Sequence, residues 1–406
     1  MKLPLSILLL VAVACIVQAQ DFDVTRIQKH IKTLSDDKLE GRGTGTEGEK
    51  KAAAYIEAQF KKLKLEPKGD NNSYLQGFTF KGGAHGEGAD GKANNIAAYL
   101  DNGAATTIII GAHYDHLGIG EQSGSLEANS KGMIHNGADD NASGVAGVIE
   151  LATYFTKNKV KEKNNFLFLC FSGEEMGLFG SKYLADHSPV DLGTVNYMIN
   201  MDMIGRLDPQ TKTLLVHGTG TSPVWETLVR GFETENIKIK TDSSGVGPSD
   251  HTSFYLKNLP VLHFFTGSHS DYHKPSDDYE KINYKGEAEV LKLIAKIIES
   301  PQTQDKLAFL PTKTKQTGTR SAFKVTMGVM PSYSSNAIGL QVDGVTEGKP
   351  AQKAGIKAGD IITQLGEYEI KDVYGYMDAL GKFEKGQTVQ AKVKRGEELL
   401  TLSITF

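Results

Sequence analysis

Five short clusters of acidic and histidine residues carry most of the chemical information in this 406-residue chain. The run GAHYDHLG at 111–118 places His113 and Asp115 directly after a β-branched apolar stretch, Thr107-Ile108-Ile109-Ile110. GADDNASG at 137–144 sets Asp139 and Asp140 before a helical run, and Glu174-Glu175 follow the apolar run 166–171 by three residues. Asp202 interrupts the apolar segment 198–204, and Asp271-Tyr272-His273 come after a strand-like run ending at Phe264 or Phe265. An acid inside an apolar segment needs a partner or a cation, because an unpaired buried carboxylate is very costly.

Taken singly, each cluster has an ordinary explanation: adjacent aspartates cap helices, paired glutamates form solvated faces, and a histidine after a strand hydrogen-bonds locally. Together they supply two histidines and several carboxylates, a mixture suited to zinc, which accepts nitrogen and oxygen ligands. Two Zn2+ ions bring four positive charges; three ligating carboxylates and a bridging hydroxide bring four negative ones, so such a site is neutral and can be buried. A two-metal centre lowers the pKa of a shared water and polarises a carbonyl, and it still needs a separate general base. The doublet Glu174-Glu175 offers one residue for each task.

Positioning these clusters is the work of the elements around them. Apolar periodicity predicts helices over 24–34, 48–63, 142–155, 225–233 and 287–298, and strands over 74–80, 95–100, 107–111, 165–171, 197–201, 213–217 and 260–264. Their alternation predicts an α/β domain with a central mixed, largely parallel sheet flanked by helices over residues 22–300. Several clusters sit just after strands, where open α/β sheets place their active sites. Gly43, Gly45 and Gly48 satisfy G-x-G-x-x-G, but no strand precedes them, so a glycine-rich turn capping a helix near Glu47 is the better reading. Residues 301–320 read as a linker, and 321–406 as a small α+β domain of short strands with helices near 350–354 and 374–383.

Net charge is −4 with 39% hydrophobic residues and no basic stripe, which excludes nucleic acid as a partner class. Lys2, an apolar stretch 3–17 and the small-residue pattern Val17-Gln18-Ala19 read as a signal peptide over 1–19, too short for a stable membrane span. Export to the periplasm or the extracellular space is therefore expected, with lipoprotein anchoring at Cys15 as the lesser alternative. The remaining cysteine, Cys170, lies within an apolar run and reads as a buried strand residue.

The motifs GAHYDH, GADDNASG, SGEEMGLFGS, NMDMIG and DYHKPSDD, in that order, resemble the co-catalytic zinc aminopeptidases, the family of aminopeptidase Y and the bacterial leucyl aminopeptidases. The likeness spans about 22–300, includes the upstream LEGRGTGTEG, and lacks no ligand position. It implies that His113 and Asp202 bind one zinc, Glu175 and His273 the other, that Asp139 bridges the two, and that Glu174 is the general base. It also implies peptide or protein substrates and removal of N-terminal residues; a monomer is expected. Asp115 is placed to orient the His113 imidazole, as metal-bound histidines require. Asp277 is a candidate for a supporting role, and the Tyr272 phenol for donation to an oxyanion, with packing as its alternative. His269 is a rival ligand that the family pattern does not select; His263 is expected to pack within its strand, and Ser249-Asp250-His251 to be structural.

The segment GKPAQKAGIKAGDIITQLG and the turn Met327-Gly328-Val329 resemble a PDZ domain, which implies capture of a peptide C-terminus against the second helix. The same catalytic scaffold hosts carboxypeptidases and glutaminyl cyclases. A PDZ-based peptide binder with a vestigial zinc site is the rival from another class.

Overall fold

The computed structural model describes residues 22–80, 90–120, 124–127, 129–312, 325–331, 338–345, 348–371 and 373–406. The expected signal peptide with Cys15 lies outside them, as does the second part of the expected linker.

Nine strands form one twisted mixed sheet: β1 (Glu66–Pro67), β2 (Leu75–Phe80), β3 (Gly91–Leu100), β4 (Thr106–His113), β5 (Asn164–Phe171), β6 (Val195–Met201), β7 (Thr213–His217), β8 (Lys238–Asp242) and β9 (Val261–Phe265). The order is β1-β3-β5-β4-β6-β9-β7-β8, with β2 also on β3. The four central strands β5, β4, β6 and β9 run parallel, whereas β3 pairs antiparallel with β5 and β7 antiparallel with β9. Every residue of β5 and β6 is buried, as expected of parallel strands covered on both faces.

Among the described residues seven helices flank the sheet: α1 (Val24–Leu34), α2 (Glu47–Lys62), α3 (Gly144–Lys157), α4 (Phe179–Asp186), α5 (Trp225–Gly231), α6 (His251–Tyr255) and α7 (Tyr284–Glu299). Thr46 caps α2, its hydroxyl accepting from the Glu49 N–H, so the glycine-rich segment is a helix entry and not a nucleotide loop. One face of the sheet buries α1, α2, α3, α5 and α7 around Ile108, Ile110, Val148, Phe168 and Ile294. The other packs Ile109, Leu167, Leu169 and Met198 against α4 and α6.

Glu287 on α7 is fully buried, and neither carboxyl oxygen has a hydrogen-bond partner among the described residues. Burial, reinforced by the charges of Asp139 and Glu150, pushes its pKa well above the carboxylate range. Such a group contributes stability that is complete below the unfolded value of about 4.3. That stability is lost at up to about 1.4 kcal/mol per pH unit as pH rises toward the folded-state pKa. Glu287→Gln is therefore expected to gain on the wild type in urea unfolding as pH rises above the unfolded value. A difference between the two that does not change with pH would contradict this.

Residues 301–312 do not behave as a free linker. Leu307 joins the main core, the Leu310 N–H donates to the Thr221 carbonyl, and the Thr312 N–H donates to the Tyr255 hydroxyl. The apolar side chains of Leu307 and Phe309, set in a polar segment, are what hold it down.

The C-terminal module has its own core and a six-stranded sheet. Its strands are β10 (Val329–Pro331), β11 (Leu340–Val345), β12 (Ile361–Leu365), β13 (Tyr368–Glu369), β14 (Thr388–Arg395) and β15 (Glu398–Thr405), joined by α8 (Pro350–Lys353) and α9 (Val373–Leu380). The order is β10-β11-β12-β14-β15, with β14 and β15 closing as a hairpin at Arg395 and Glu398. No helix among the described residues is long and apolar enough to cross a membrane.

Candidate metal centre

All four parallel strands deliver chemistry at their carboxyl ends. His113 is the last residue of β4; Glu174 and Glu175 follow β5, Asp202 follows β6, and His273 lies on the segment after β9. The fifth contribution comes from the turn 138–143 that leads into α3.

In that turn Asp140 is extended (φ −105°, ψ 92°), and its side chain points into the cluster. Asp140 Oδ1 lies 3.3 Å from His113 Nε2, which is also 3.4 Å from Asp202 Oδ1. Asp140 Oδ2 lies 3.2 Å from His273 Nε2, itself 3.2 Å from Glu175 Oε2. The two oxygens of Asp140 thus face two separate groups of donors. His113, Asp140 and Asp202 form one set with mutual spacing compatible with a metal, and His116, Asp140 and Glu175 another.

Asp139 points the other way: its Oδ1 accepts from the Gly205 N–H at 2.7 Å and its Oδ2 lies 3.1 Å from His269 Nε2. The structure therefore does not bring Asp139, the expected bridging residue, to the other ligand candidates; Asp140 stands in that place. Successive residues in this turn face opposite sides, and the residue type alone does not say which faces in. His269, the rival ligand, is taken up by Asp139. Gly137 permits the turn, with φ +54° and no room for a Cβ, which would meet the Asp140 carbonyl at 2.1 Å.

The supporting contacts are dense. Asp115 Oδ1 sits 3.6 Å from His113 Nδ1 and accepts from the Glu174 N–H at 3.2 Å, while its Oδ2 accepts from Thr44 Oγ1 at 2.8 Å. Asp277 Oδ2 accepts from both the Asp139 and the Asp140 N–H at 3.0 Å. His116, which the sequence reading left without a role, has Nδ1 2.7 Å from Glu175 Oε1 and turns that carboxylate's other oxygen toward His273. Its place three residues after His113 in the same strand-end motif was the available signal. Arg42 is buried and donates to the carbonyls of Leu34, Tyr114, Asn136 and Gly137, tying together the segments that carry His113 and Asp140. Tyr272 stacks on His273 with ring centroids 3.9 Å apart.

The electrostatics are those of a crowded acidic site. Burial opposes ionisation of Asp140, yet hydrogen bonds from His113 and His273 hold its carboxyl well below the usual range. Glu175, despite burial, is held at about 2 by His273 and His116. Glu174 moves the other way, pushed well above the ordinary value by burial and by the charges of Asp250, Asp202 and Glu175, against the pull of His113. Burial lowers the His113 and His273 pKa values, but the surrounding carboxylates, led by Asp202 and Glu175 respectively, raise both well above 6.5. Four carboxylates converging on three imidazoles fit a pair of divalent cations, which would displace those imidazole protons.

A pocket of about 260 Å³ opens over the cluster. Besides the ligand candidates it is lined by Met203, His217, Pro248, His263, Phe265 and Tyr272; His263 packs within its strand, as expected, and also reaches this wall. Thr326, Gly328 and Val329 form part of the wall. The turn expected to capture a peptide carboxylate in its own groove thus borders the pocket. Ser249-Asp250-His251 forms no triad: Ser249 Oγ accepts from Asn200, and neither Asp250 nor His251 has a side-chain hydrogen-bond partner among the described residues.

Depletion of metal is expected to destabilise the folded chain. A cation bound only by the native state at a thousandfold excess over Kd is worth about 4 kcal/mol. Calorimetry after chelation should show a lowered Tm that zinc restores; an unchanged Tm would speak against a metal in this cluster.

The fold and the cluster define a zinc-exopeptidase-like protein. Residues 95–298 match the description of peptidase family M28, and 325–406 match that of the PDZ domain. The chain belongs to peptidase family M28. Among curated proteins it is 26% identical over 271 residues to leupeptin-inactivating enzyme 1 of Streptomyces exfoliatus, covering 66% of this chain and 55% of that protein. It is 30% identical over 159 residues to aminopeptidase YwaD of Bacillus subtilis, covering 36% and 34%. The chain spans about half or less of the length of these relatives. Among solved structures, a Zn-dependent exopeptidase from Parabacteroides distasonis aligns with a TM-score of 0.56 at 18% identity, over 69% of this chain and 99% of that one. A glutaminyl cyclase from Bacteroides thetaiotaomicron aligns with a TM-score of 0.55 at 16%, over 69% and 98%.

Proposed function

We propose that this chain is an exported dinuclear zinc aminopeptidase. The observation that carries the reading is Asp140, whose two oxygens face separate donor sets, with the Glu174 carboxyl lining the same pocket. His113 and Asp202 would hold one ion, Glu175 and His273 the other, and Asp140 both. The bound ions supply Lewis acidity and a water of lowered pKa. Glu174 takes a proton from the attacking water and returns it to the leaving amine, a role that suits a carboxyl whose pKa lies above the ordinary range. Asp115 keeps the His113 ring oriented, and His116 does the same for Glu175. Tyr272, which lines the pocket, would donate a hydrogen bond to the oxyanion.

The two-sided placement of Asp140 favours two ions over the single zinc of the cyclase alternative. Export rests on the basic-then-apolar start of the sequence. The PDZ-like module adds a wall to the pocket, and a peptide C-terminus is its proposed ligand.

Fluorogenic aminoacyl amides assayed beside their N-acetylated counterparts test the assignment. Hydrolysis confined to the free-amine forms, and lost on chelation, is expected. Equal cleavage of blocked substrates would point to an endopeptidase.

A further inference from the structure

The pocket that holds the carboxylate cluster extends to a second polar patch. His217 ends β7 and His263 sits in β9, and the antiparallel register of these strands sets the two directly opposite each other. Their Nδ1 atoms are 3.1 Å apart, and both residues line the pocket beside Met203, Pro248 and Phe265. Behind them His251 lies nearly parallel to the His263 ring, with centroids 4.6 Å apart and planes at 19°, so His263 has no room to swing away. His263 Nε2 is buried and has no hydrogen-bond partner among the described residues.

The Nδ1 contact determines what this pair can present. Burial keeps both imidazoles neutral. One ring must then donate its Nδ1–H to the other, which leaves a bare Nε2 on the donor and an Nε2–H on the acceptor. The pair therefore offers one acceptor and one donor, set among apolar walls. A primary carboxamide carries the complementary carbonyl oxygen and NH2. A carboxylate carries acceptors only, an ammonium or guanidinium donors only. An aliphatic side chain carries neither and would leave buried polar groups unpaired.

We propose that His217 and His263 are specificity-determining residues that read the side-chain carboxamide of an N-terminal glutamine or asparagine. The proposal rests on the aminopeptidase reading and refines it. Apolar walls of Met203, Pro248 and Phe265 would hold the methylene stem, and the histidine pair its polar end.

Initial rates of the metal-loaded full chain on Gln-, Asn-, Leu- and Glu-7-amido-4-methylcoumarin test it. The expected kcat/KM for Gln or Asn exceeds that for Leu by about tenfold or more, in line with what an unpaired buried polar group costs. His263→Leu should reverse the order by raising Leu hydrolysis relative to Gln, with turnover of the Leu substrate retained. His217→Leu should do the same and serves if the first variant does not fold. A wild type that favours Leu, or variants that slow all four substrates by one factor, would overturn the proposal alone. Hydrolysis of none of the four would overturn the aminopeptidase reading, and this proposal with it.

Discussion

Glu174→Gln is expected to lower kcat by on the order of 10²–10⁴ while leaving the metal content unchanged. The glutamine keeps the size of the side chain but cannot accept a proton from water. The loop should hold its shape, because its anchor is the Glu174 N–H donating to Asp115 and not the side chain. Glu174 contributes to neither metal-compatible donor set, so zinc retention is part of the expectation. Near-full turnover, or loss of zinc in step with activity, would remove Glu174 from the role of base.

The second large effect separates the two aspartates. Asp140→Asn is expected to reduce bound zinc and to abolish measurable turnover, since one carboxylate serves both donor sets. Asp139→Asn should keep its metal and lose activity by no more than about 10–100-fold, the range for residues that support ligands from behind. Its contacts are the Gly205 N–H and His269, both outside the cluster. Metal analysis of the two purified variants decides the matter. Zinc loss in Asp139→Asn with zinc retained in Asp140→Asn would restore the assignment first drawn from the motif.

That reversal shows where the sequence stops being readable. The parallel core was legible because its strands are continuous apolar runs, and β7 was placed at 213–217 as observed. Four of the clusters were legible because strand ends must stop being apolar somewhere and these stop on acids or histidines; the fifth was legible as an aspartate pair leading into a helix. Which of Asp139 and Asp140 faces inward was not, because it depends on the extended backbone of one residue in a turn. The His217–His263 pair was hidden for a similar reason. Forty-six residues separate the two, and only the β7–β9 register brings them together. Helices α4 and α6, of eight and five residues, were too short to show a period. The packed tail 301–312 was concealed by polar composition, although Leu307 and Phe309 were its clue.

The most direct test of the dinuclear centre is a zinc titration of the metal-free full chain, followed by hydrolysis of a free-amine aminoacyl amide. Activity should be absent at the start, rise with added zinc and saturate at two equivalents per chain. Saturation at one equivalent, or activity undiminished without metal, would contradict the account.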